Sequence, residues 1–272
     1  MDPDACRTRS RAGHKTIQAD IAETSPSLFA GRTVGLIASP PCQDFSSAGN
    51  RKGVAGTSGH LVGQVIRWAD KLSPDWIALE EVPSVLPIWN DFSEHFRATG
   101  YSTWVGIMNA ADYGVPQTRK RAVLIASRSR VVTQPIQTHS NDDTSTLRRW
   151  LPIASVVSHD PRDRVLSTGR DWKKGGTRDD AQRVSFDRPC PTITRQASAW
   201  QWRRTDRSNP DPIRFSLTEA LAFQSFPHGY PVFGTRSGAM LQIGNAVPPL
   251  MAAHILAEAI GLSFSGPETP QR

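Results

Sequence analysis

Cysteine is scarce in this chain. Cys6, Cys42 and Cys190 are its only three, and they stand far apart. That excludes a disulfide framework and a cysteine-rich zinc site. No Cys-x-x-Cys occurs, and no two histidines stand at ligand spacing, so no metal is expected. A reducing cytoplasm suits this usage. No apolar run reaches the roughly 18 residues of a membrane span. The N-terminus lacks the basic-then-apolar pattern of a secretory signal, so neither a membrane nor export is expected. There is no internal repeat.

At 272 residues the chain can form one large core and a small lobe. Its formal charge is +7. A basic balance favours a polyanionic partner, most often nucleic acid, although an arginine-rich composition alone yields the same balance.

Val34 to Ser39 is a short apolar run stopped by Pro40-Pro41, the pattern of a buried strand feeding a loop. Residues 44–58 are rich in Ser, Gly and basic residues and read as a polar loop. Leu61, Val65, Trp68 and Leu72 recur every three or four residues, which predicts a helix over about 59–72 with one apolar face. Trp76–Leu79 reads as a second buried strand, 83–98 as helical, and 101–108 and 122–126 as further strands. Strands alternating with helices imply an α/β domain with a largely parallel sheet. Such folds bind ligands at the carboxyl ends of their strands, where Cys42 and Glu80 both fall.

Residues 128–190 lack long periodic segments and read as an inserted variable region. Ser216-Leu217-Thr218-Glu219 is a capping box that opens a helix, and a final helix lies within 246–260. The expected division is a catalytic domain over 1–127, a small lobe over 128–215, a return to the first domain over 216–262 and a frayed tail over 263–272.

Four segments could carry chemistry. Cys42, in Pro40-Pro41-Cys42-Gln43, is placed as a loop nucleophile, though a lone cysteine is more often a small buried apolar residue. Glu80 and Glu81 end a buried strand. A carboxyl there must be paired, exposed or protonated, and one held in a dry pocket can donate a proton. Glu81 reads better as a cap for the next helix. Gln117, Arg119 and Arg121 alternate, so an extended backbone would set them on one face, toward phosphate or a carboxylate. Gly244-Asn245-Ala246 is a turn running into a helix with early prolines.

In this order, Pro-Cys-Gln, Glu-x-Val, Gln-x-Arg-x-Arg and Gly-Asn-Ala-Val-Pro-Pro resemble the DNA (cytosine-5-)-methyltransferase family. Tyr113-Gly114-Val115-Pro116, Arg188-Pro189-Cys190-Pro191-Thr192 and Gln224-Ser225-Phe226-Pro227 add to the resemblance, which runs from about residue 2 to 261. It implies a Rossmann-like fold dependent on S-adenosylmethionine, with a small target-recognition lobe. It also implies methyl transfer to carbon 5 of a cytosine flipped out of double-stranded DNA. Cys42 then matches the family nucleophile, Glu80 the group that acts on ring nitrogen 3, and Arg121, with Arg119 second, the arginine that orients the base. Asp20, Pro40, Asn245 and Ala246 match cofactor-contacting positions. Gln43, Ser46, Arg51, Lys52 and Gln117 are expected at DNA, with Lys173 and Lys174 of the variable region. Trp200 and Trp202 are expected to pack the lobe.

Two departures stand out. The family's Glu-Asn-Val is Glu80-Glu81-Val82 here, and the family's opening Phe-x-Gly-x-Gly loop is absent. The expected fold therefore lacks its first strand. The missing part is expected from a longer N-terminus or a second chain. The alternative is an inactive or partner-dependent homologue that only binds DNA. A monomeric cytoplasmic enzyme, bacterial or phage-encoded, is otherwise expected.

Overall fold

The computed structural model describes residues 2–40, 59–157, 164–168, 183–204 and 213–264. It opens with a helix that periodicity did not announce, α1 (Pro3–Arg11). The Asp2 carboxylate accepts from the amides of Asp4 and Ala5, Pro3 fills the first turn, and Arg9 and Arg11 stand in the last. These are ordinary start and stop signals. Thr8 docks the helix: its hydroxyl donates to Gln242 Oε1 at 2.8 Å and accepts from the Phe233 amide at 3.0 Å.

The first sheet contains β1 (Gly35–Ala38), β2 (Trp76–Glu81), β3 (Ser102–Asn109) and β4 (Lys120–Ser127), in the order β1-β2-β4-β3. Helix α2 (Gly59–Leu72) connects β1 to β2, and α3 (Leu86–Ala98) connects β2 to β3. β1 and β2 pair in parallel, but β4 runs antiparallel to both of its neighbours. The expected largely parallel sheet is corrected to that extent. The cause is the link from β3 to β4, a single 3₁₀ turn over Ala110–Tyr113 and a short extended segment. It is too short for the crossover that a parallel return requires. Among the described residues, no strand pairs with the outer edge of β1, where Ile37 is 61% exposed.

The sheet is apolar on both faces. Ile77, Leu79, Ala122, Leu124 and Ala126 pack with Val62, Val65 and Ala69 of α2 and Trp89 and Phe96 of α3. Ala78, Val123 and Ile125 point the other way, onto Met251, Ile255 and Ala259 of the last helix, α6 (Pro249–Ile260). Period-two alternation buried on both sides is why β2 and β4 read as continuous apolar runs.

The second lobe is built from short pieces. A pair, β5 (His139–Ser140) and β6 (Arg148–Arg149), precedes an antiparallel sheet of β7 (Arg164–Ser167), β8 (Arg183–Val184), β9 (Gln201–Arg204) and β10 (Ile213–Arg214). Its core joins Leu166, Phe186, Trp202, Phe215 and Phe223 to Met240 and Ile243. It therefore continues through α4 (Leu217–Phe223) and α5 (Arg236–Asn245), past the boundary expected at 215. The capping box of Ser216 and Glu219 is formed, and the same glutamate accepts from Trp202 Nε1 at 2.8 Å.

Candidate active site

Glu80 is the penultimate residue of β2, opposite Val123 of β4. Arg121 lies two residues before Val123, on the same face and within diagonal reach. Its Nε stands 3.0 Å from Glu80 Oε1, an ion pair whose N–H is not aligned on that oxygen as a hydrogen bond. The other carboxylate oxygen accepts from Ser39 Oγ at 3.1 Å. Ser39 is there because β1 pairs Ala38 with Leu79, which sets the next residue beside Glu80. Glu80 is 7% exposed. A carboxylate this buried requires its cation and its hydroxyl donor.

Two clefts meet at the end of β1. One, of about 70 Å³, has Ser39, Glu80 and Val247 among its walls. The other, of about 370 Å³, is lined by Ile21, Leu36, Ser39, Pro40, Val65 and Trp68, among others. Ile37 and Ser39 belong to both. The Trp68 ring is pinned by its Nε1, which donates to the Ile21 carbonyl at 3.2 Å. Asp20 precedes Ile21 and closes a local turn, its carboxylate accepting from the Ala22 amide at 2.8 Å.

The remaining expected residues divide. Pro40 lines the larger cleft. Asn245 ends α5, and Ala246 leads to Val247 in the smaller cleft. Cys42, Gln43, Ser46, Arg51, Lys52, Lys173 and Lys174 lie outside the described residues.

Arg119 and Gln117 are placed otherwise than expected. Arg119 is 1% exposed. Its guanidinium donates to the carbonyls of Ile193 (3.2 Å), Gly244 (2.9 Å) and Ala246 (3.1 Å). Gln117 is fully buried and has no face to offer DNA. Its amide nitrogen donates to the Phe223 carbonyl and Gln224 Oε1, and its oxygen accepts from the Ile193 amide. The alternation failed because 117–119 is not a strand; Gln117 makes only an isolated bridge to Cys190. Ser39 and Val247 were not singled out from sequence, although Ser39 immediately precedes the double proline.

The model of the family described as C-5 cytosine-specific DNA methylase matches residues 1–160 and 162–261. A type II methyltransferase of Staphylococcus aureus, M.Sau96I, is 28% identical over 294 residues, covering 94% of this chain and 68% of its own length. The type II methylase M.HgiDII of Herpetosiphon aurantiacus is 28% identical, covering 87% and 78%. The crystal structure of S. pombe Dnmt2 methyltransferase superposes with a TM-score of 0.70 at 14% identity, covering 96% of this chain and 89% of that one. The shared fold is the Rossmann-like α/β fold of S-adenosylmethionine-dependent methyltransferases.

Proposed function

The chain belongs to the C-5 cytosine-specific DNA methylase family, and from that premise we propose that Cys42, Glu80 and Arg121 carry methyl transfer to a cytosine flipped out of DNA. The observation that supports this most is the Glu80–Arg121 pair with Ser39. It holds a carboxylate and a guanidinium together at the strand ends, and Ser39, which donates to that carboxylate, stands three residues before the Pro-Cys-Gln cysteine.

The chemistry follows from charge. The Cys42 thiolate adds to carbon 6 of the ring, and the displaced electrons raise the nucleophilicity of carbon 5. Glu80 acts at ring nitrogen 3, where a proton relieves the negative charge that addition creates. Arg121 keeps the carboxyl oriented and offers donors to the base. After methylation, loss of the carbon 5 proton and departure of the thiolate restore the ring.

The larger cleft suits S-adenosylmethionine. Its walls are mostly apolar, from Leu36, Val65 and Trp68, as a purine requires, and polar Gln64 and Ser39 stand among them. Asp20 stands beside it and Asn245–Ala246 beside the smaller cleft, as candidates for the polar ends of the molecule. When bound, it supplies an electrophilic methyl group. DNA is the polyanion that the +7 charge suits.

The test is transfer of labelled methyl from S-adenosylmethionine to mixed-sequence duplex DNA, wild type against Cys42→Ser. Transfer that vanishes in the variant is expected. Equal transfer by both would remove Cys42 from the mechanism. None by the wild type, with DNA still bound, would favour the DNA-binding homologue instead.

A further inference from the structure

Four stretches distant in sequence meet where the first sheet joins the second core. Residues 116–119 run alongside 190–193: the Cys190 amide donates to the Pro116 carbonyl, the Thr118 amide to the Cys190 carbonyl, and Thr192 Oγ1 to the Thr118 carbonyl. Gln117 ties this pair to Phe223 and Gln224, and Gln224 Nε2 donates to the Ile243 carbonyl. Arg119 closes the joint on Ile193, Gly244 and Ala246.

We propose that Arg119 is a positioning residue: it clamps the turn at Gly244–Ala246 against the root of β4 and so sets the cleft wall, through Val247, that stands with Glu80. The final carbonyls of a helix have no intrahelical donors, and buried ones must find partners elsewhere. Gly244 and Ala246 are the end of α5. A guanidinium is a planar fork with five donors, so one side chain can span both carbonyls and Ile193 as well; a lysine ammonium is a single point and cannot. The joint also has no slack. A Cβ on Gly244 would stand 2.9 Å from Thr194 Cα and 3.0 Å from Thr194 C, both backbone atoms. The wall set in this way shares the smaller cleft with Ser39 and Glu80. The proposal rests on the reading that these clefts take S-adenosylmethionine and the target base.

The test compares the wild type, Arg119→Lys and Gly244→Ala in the full 272-residue chain. Hydrogen exchange reads the clamp without requiring activity. Amides of 193–195 and 243–247 should exchange about tenfold faster in Arg119→Lys, while those of β2 and the centre of β4 keep their protection. Methyl-transfer kinetics read the consequence: KM for S-adenosylmethionine should rise about tenfold with kcat changed less than about threefold, as for a residue that shapes a wall without touching reacting atoms. Gly244→Ala, which keeps the arginine but strains the turn, should reproduce the KM rise. Unchanged exchange at 243–247, exchange raised evenly through both lobes, or a kcat loss at constant KM would overturn the proposal. A wild type without methyl transfer would fail the functional reading instead, and the exchange experiment alone would then decide the clamp.

Discussion

Arg121 and Glu80 face one another across the ladder of β2 and β4, with Nε 3.0 Å from Oε1 and both side chains largely buried. Register alone produces the pair: Glu80 stands opposite Val123, and Arg121 is the next residue on that face. Ser39, the residue after β1, adds the donor. Three strands thus converge on one carboxylate.

Removing one partner of a buried pair strands the other charge, so a single loss costs more than a double one. Arg121→Ala is expected to lower the unfolding free energy by roughly 3 kcal/mol. Adding Glu80→Gln to that variant should recover part of the loss. Denaturant titration of the wild type, both singles and the double variant closes the cycle; a double variant weaker than Arg121→Ala would contradict it. Glu80→Gln alone should fold and lose about 10²- to 10⁴-fold in kcat, the range of a general acid or base.

Trp89 has no exposed surface, and its Nε1 donates to the Ala122 carbonyl at 3.2 Å. It wedges α3 against β4. Trp89→Ala leaves a cavity and removes the indole's hydrogen bond to β4, at a cost of about 3–5 kcal/mol. Thermal melting should show it. A loss below about 1 kcal/mol would mean that the core recloses around the gap.

Much of this arrangement was legible in the sequence. β1, α2 and β2 were readable from an apolar run stopped at Pro40, a three-to-four repeat through Leu72 and an apolar run from Trp76 to Leu79, although β2 continues through Glu80 and Glu81. α1 was not, because its signals lie in its caps and not in an apolar stripe; Thr8 is its one buried residue. Arg119 was misread for a different reason. Its partners are carbonyls more than 70 positions further along the chain, and main-chain acceptors leave no mark in side-chain identity. The division of the lobes was obscured likewise. α4 and α5 carry ordinary helical signals, and only packing assigns them to the second core.

Gly114 ends the 3₁₀ turn between β3 and β4 with φ of 79°, a left-handed conformation that favours glycine. A Cβ there would stand 2.9 Å from His139 Cε1. Gly114→Ala thus meets both backbone strain, of about 1–2 kcal/mol, and a clash with a buried imidazole. A drop of at least about 1 kcal/mol in a urea titration is expected. A variant as stable as the wild type would show that His139 moves aside freely.

His254 supplies the pH dependence. It sits on α6 between the rings of Tyr113, at 5.0 Å, and Phe264, at 4.8 Å. Burial, and then the charge of His139, push its imidazole down to about 4 from the ordinary 6.5. The unfolded chain therefore takes up this proton at a higher pH than the folded chain does. Above pH 6.5 both states are neutral there and nothing is lost. Between 6.5 and about 4 the unfolded state binds more protons, so stability falls as the pH falls. His139, lowered by burial and then by Arg148, acts in the same direction. Asp112, raised by burial against the opposing bond from Trp150, acts in the other direction at the acid end of the window. The urea midpoint should decline from pH 7 to 4.5, and His254→Phe, which keeps an aromatic ring between the same two neighbours, should flatten the decline. An identical slope in the variant would place the acid sensitivity elsewhere, with His139 the next group to replace.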